Sequence, residues 1–211
     1  MASAYGLRPV THGGYQYNTG GFEEYPIDPS YATQIFNGDI VSLTNDYGVV
    51  RNTNTEVPTP LILVNSGPTV TIPTNQALGI FVGCRYVDTN GTPQFAQYYP
   101  GSGTEAFAYV VTDPNAVFRI HSTDEWAEAD LGNTVNPVIV ANATPGGSTS
   151  TGNSSTQVES NDDVADAALR IIGVMRDGSS ITATTDTCEL LVRWSSPSCT
   201  LYGSPISEPV A

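Results

Sequence analysis

The chain has 211 residues, of which 39% are hydrophobic, and a mean hydropathy of −0.13. That suffices for one all-β domain with insertions or for two small domains, and no apolar run is long enough to cross a bilayer. The net charge of −14 sets 21 acidic groups against seven basic ones, all arginine and spread singly, which excludes a phosphate-binding patch and adhesion to anionic membranes.

The first segment, MASAYGLRPV, has no cationic stretch followed by an apolar one, so the expectation is no signal peptide and synthesis in a cytoplasm. Residues 1–35 read as an extended N-terminal arm, in which Tyr5, Tyr15, Tyr17, Phe22, Tyr25 and Tyr31 alternate with Gly and Pro. So many aromatic residues on so little regular structure need a surface to bury against. Two readings stay open: the arm packs on this chain's own core, or part of it lies on a neighbouring subunit, where aromatic residues and Arg are common anchors.

Residues 36–194 read as the β-rich core. FNGDIVSLTNDYGVV is strand, turn, strand. A polar loop follows, and then LILVNSGPTVTIPTNQ gives one or two short strands. The stretch from Ala77 to Gly132 organises the rest. ALGIFVGCRYV is dense in β-branched and aromatic residues, Asp88-Thr89-Asn90-Gly91 is a turn, and Gln94 to Tyr99 is a candidate partner strand. Ala106 to Val111 is a further strand, and Val117 to His121 alternates as a half-buried strand does. Ser122 to Leu131 opens on a Ser/Thr/Asp cap with acids in its first turn and predicts a short helix or helical turn.

Residues 144–157 form a Gly/Ser/Thr tract expected to be a flexible surface loop. A strand is expected over Ala168 to Met175, a hairpin turn at Asp177-Gly178, and a returning strand in TCELLVRW. Residues 195–211 form a Pro/Ser-rich tail. The fold class is therefore mainly β, a compact barrel or sandwich with at most short helices.

A search for reactive constellations assigns no catalytic, cofactor or metal residue. His121 beside Ser122 and Asp124 is the nearest approach to a nucleophilic triad, and it lacks the nucleophile-elbow motif. Asp124, Glu125, Glu128 and Asp130 do not follow the spacing of a calcium loop. Without lysine there is no phosphate-binding loop. Cys84, Cys188 and Cys199 form no zinc pattern and are read as free thiols, although Cys188 and Cys199 could close a small loop under oxidising conditions.

Several segments, in order, resemble capsid decoration (cement) proteins of tailed bacteriophages, in particular short-tailed phages of aquatic bacteria. They are YGLRPV, FNGDIVSL, LGIFVGCRYVD, QYYPGSG, VVTDPNAVFRI, ADLGNTVNPVI and LRIIGVMRD, which together span most of residues 5–178. The polar loop near 51–60 and the tail after Trp194 depart from the family pattern. The resemblance implies a non-enzymatic virion protein on the outer surface of an icosahedral head. It would act as a homotrimer that clamps neighbouring major capsid subunits after the shell expands, with no cofactor and no direct contact to nucleic acid or membrane. The expected contacts are Tyr5, Leu7, Arg8, Tyr15, Tyr17 and Phe22, with Tyr98 and Tyr99 second to them. The alternatives are a tail, fibre or head-appendage protein binding host glycan through residues 144–157 and Tyr98/Tyr99, the major shell protein itself, and an acidic glycosidase.

Overall fold

The computed structural model describes residues 4–10, 21–43, 48–51, 77–139, 146–163, 167–175 and 188–195. Within them the chain forms two packed antiparallel-dominated sheets, a β-sandwich and not a closed barrel. The expected strand-rich class holds, with the sandwich as the form it takes.

The first sheet is built around β8 (Val117–Ser122), whose pattern is buried at every position but Arg119. A half-buried strand was expected there. Instead β8 is central: β13 (Cys188–Trp194) pairs along one side, while β1 (Arg8–Pro9) and β11 (Thr156–Val158) share the other. Outside β13 lie β12 (Leu169–Val174) and β9 (Thr134–Val135), and β10 (Pro137–Ile139) lies outside β11. The antiparallel pairing of β12 with β13 is that of the expected hairpin, whose Asp177-Gly178 turn lies outside the described residues.

The second sheet is organised by β5 (Ala77–Val87), the expected hub. On one side it pairs with β7 (Thr104–Val111), which in turn pairs with β2 (Glu23–Pro26). On its other side β3 (Ile40–Leu43) and β6 (Pro93–Ala96) divide its length, and β4 (Val49–Arg51) pairs with β3. Leu78 and Val82 are extra residues where the ladder shifts register, and such bulges bend and twist a strand. The expected helical segment is a single 3₁₀ turn, Glu128–Asp130.

The sheets enclose Ile80, Val111, Phe118, Ile120, Leu169 and Trp194 in one core. Phe81, Cys84, Ala108, Val110 and Tyr99 form a second core on the opposite face of the second sheet. At roughly 25 cal/mol per Å² of apolar surface, these clusters are the main driving force for the fold.

Of the two readings left open for the arm, its described residues take the first: Leu7, Ile27 and Ile35 are buried in the chain's own cores, and β1 and β2 are strands of its own sheets. Gly6 (φ 77°) and Gly38 (φ 95°) allow this, because a Cβ on Gly38 would lie 2.8 Å from the Gly6 Cα. Residues 146–158, against expectation, are no loose surface loop, since Ser154, Thr156 and Val158 are buried and Asn37 bridges to Asn153.

A charged lock holds that segment down. The Asp39 carboxylate, 1% exposed, sits 3.0 Å from the Arg51 guanidinium and accepts from the Ser154 hydroxyl (2.5 Å) and the Phe36 amide (2.8 Å). Arg51 also donates to the Gly146 carbonyl at 3.1 Å. Burial pushes the Asp39 carboxyl up to about 6 despite the opposing pull of Arg51.

Candidate functional site: an aromatic sheet face and an arginine pocket

Residues directly opposite in an antiparallel sheet share a face. One row of the second sheet therefore runs Phe95, Arg85, Phe107, Pro26, and the next carries Gly83, Tyr109 and Glu24. Along β7 the same face continues to Val111, which packs into the core between the sheets. At the Val111 end the first sheet covers this face; towards Phe107 the face runs on into solvent.

The uncovered end is rich in aromatic rings. Phe95 is 77% and Phe22 57% exposed. The Phe22 ring lies on Tyr109 with centroids 4.8 Å apart, and the Arg85 guanidinium stands 4.1 Å above the Phe107 ring. Glu24 pairs with Arg85 through an ion pair at the surface, where it contributes little to stability but fixes the guanidinium in place. Two exposed rings beside the half-buried Phe107 and Tyr109, with a fixed Arg, have the composition of a protein contact.

The arm builds the second feature. Arg8 on β1 pairs directly with Arg119 on β8, placing like charges side by side. Arg8 donates to two neutral acceptors, the Asn37 side-chain oxygen at 2.7 Å and that of Asn153. Arg119 stands 5.2 Å over the Tyr5 ring and, among the described residues, makes one long ion pair, 3.6 Å, with Glu189. These groups border a pocket of about 530 Å³, lined by the apolar Tyr5 ring, Val10 and Met175 and by the polar Arg8, Arg119 and Asn153. Burial, and then the neighbouring charge of Arg119, lowers the Arg8 pKa. Burial first, and then the Glu189 carboxylate, raises that of the Tyr5 phenol.

The structure thus separates the expected contact residues. Tyr5 and Arg8 meet at the pocket, and Phe22 lies on the aromatic face. Leu7 and Tyr99, at 0% and 3% exposure, are core residues, so as folded neither reaches a partner. Tyr98 is half-buried and stacks on Phe36 at 5.6 Å. Tyr15 and Tyr17 lie outside the described residues. Sequence reasoning passed over Phe95, Phe107, Tyr109 and Arg119. For the three aromatic residues the signal was the alternation in PQFA and TEAFAYVV, which marks two faces without saying which is inside.

The His121–Ser122–Asp124 constellation is not assembled. The two His121 ring nitrogens are buried without a hydrogen bond, while Ser122 donates to the Asn161 side chain at 2.8 Å and Asp124 accepts from the Asn161 amide at 3.0 Å. Among the described residues no three His, Cys, Asp or Glu side chains converge as metal ligands would. Cys84 and Cys188 are free thiols, and Cys199 lies outside the described residues. Comparison with protein-family models, with curated proteins and with solved structures gives no match.

Proposed function

We propose that this chain is a non-enzymatic capsid decoration protein of a tailed phage, binding the outer surface of the head as a trimer and clamping neighbouring major capsid subunits. The observation that carries the reading is the overhanging aromatic face. Phe22, Tyr109, Phe107 and Phe95 extend a core-type surface beyond the sheet that covers its other end. Burying such rings is the main energy source of a stable contact, with Arg85 as a pre-ordered polar anchor. The acidic charge of −14 suits a position outside the shell, away from packaged DNA. Modest contacts repeated over a closed shell reinforce one another through effective concentration.

The glycan-binding alternative is left with the exposed turn at residues 149–151, since much of the rest of 146–158 is buried and Tyr98 stacks on Phe36. The test is co-sedimentation of the purified chain with unexpanded and expanded heads of the phage that encodes it. Saturable binding to expanded heads, in fixed ratio to the major subunit, is the expected result. Binding to neither rejects the proposal.

A further inference from the structure

The arginine pocket is separate from the aromatic face and calls for its own ligand. Arg8 is half-buried, yet its two hydrogen-bond partners are neutral amide oxygens, so its charge is solvated but not balanced. Arg119, directly opposite, has one loose carboxylate partner. Among the described residues, two guanidiniums face the one carboxylate of Glu189, which leaves one positive charge in excess there, in a chain that is otherwise strongly acidic. Placing like charges side by side costs stability, and an anion between them relieves that cost. The volume of about 530 Å³ falls within the range of roughly 300–1,000 Å³ typical of ligand pockets.

The local charge distinguishes among anions. A single excess positive charge matches a carboxylate better than a doubly charged phosphate, which the −14 chain would also repel more strongly. A guanidinium presents its N–H groups as a planar fork that fits the two carboxylate oxygens. Apolar groups line the same pocket: the Tyr5 ring, Val10 and the Met175 side chain. We infer that the Tyr5–Arg8–Arg119 pocket binds a carboxylate carried next to an apolar side chain, as at the end of a peptide.

The test titrates the full chain, followed by proton–nitrogen correlation spectra that include the arginine side-chain signals. The probes are N-acetyl-phenylalanine, its amide, acetate and inorganic phosphate. N-acetyl-phenylalanine is expected to give saturable shifts at Tyr5, Arg8 and Arg119. The amide and acetate should bind about tenfold more weakly, and Arg119→Gln should abolish saturation while leaving the remaining spectrum in place. Equal affinity for the amide or acetate, preference for phosphate, or no saturable shift with any probe overturns the assignment. The comparison among probes uses the native chain, so it stands whether or not the variant folds, and it needs no capsid.

Discussion

Replacing Arg51 with Met isolates the Asp39 lock. The substitution keeps the hydrophobic stem and removes the guanidinium 3.0 Å from the carboxylate, where both side chains are almost fully buried. An ionised carboxylate left buried without its partner costs roughly 3–5 kcal/mol, and the Gly146 carbonyl loses a donor, adding about 1 kcal/mol. Asp39 escapes part of this by taking up a proton. Its folded pKa is already raised to about 6, so its contribution to stability is full below the unfolded value near 4 and is lost as pH rises through the folded value. Without Arg51 the folded pKa climbs further, and the loss continues above pH 6 at about 1.4 kcal/mol per pH unit. The variant should therefore be destabilised by about 1 kcal/mol at pH 5 and about 4 kcal/mol at pH 8. Urea unfolding, read from the fluorescence of the buried Trp194, measures both. A destabilisation equal at the two pH values would refute the reasoning, as would one below about 1 kcal/mol at pH 8.

The arm supplies two further predictions. Leu7→Ala empties a fully buried site and should cost about 2–5 kcal/mol in the same assay, whereas an arm that merely docked elsewhere would show almost no change. Gly38→Ala forces a side chain onto a left-handed backbone and into Gly6, and should lower stability by about 1–3 kcal/mol or more; a neutral result would mean the crossing is not as described. A third concerns the thiols. Burial pushes Cys84 up to about 12, so a thiol reagent at pH 8 should leave it unmodified until urea unfolds the chain, as read by peptide mass spectrometry. Labelling of Cys84 in the native state at the rate of a free thiol would contradict its burial.

Much of the fold was legible. The run ALGIFVGCRYV is so dense in strand formers that its place as a hub follows from composition, and the β12–β13 pair follows from two apolar runs around Asp177-Gly178. What escaped was long-range. Asp39 sits in an Asn-Gly-Asp sequence that reads locally as a turn, and its partner Ser154 lies 115 positions away in a tract whose composition suggests a solvated loop. A chain of Ser, Thr and Asn can be buried when each polar group finds a partner, and composition does not reveal partners. The aromatic face was hidden by a different ambiguity. In TEAFAYVV the expectation that large side chains point inward would bury Phe107 and Tyr109, but Ala106 and Ala108 face the second core and the rings face out. The arm stayed open between its own core and a neighbouring subunit because its aromatic residues lack periodicity. Its aliphatic residues Leu7, Ile27 and Ile35 belong to the cores, and Phe22 belongs to the exposed face.

The overhanging aromatic face is the proposed docking surface. It is tested most directly by binding native chain and the double variant Phe22→Ser/Phe95→Ser to expanded heads. Both side chains are exposed, so the variant should fold with a stability change within about 0.5 kcal/mol of native. Losing roughly 1.5 kcal/mol of burial from each ring should weaken head binding about a hundredfold. A folded double variant that binds expanded heads as tightly as the native chain would contradict the account.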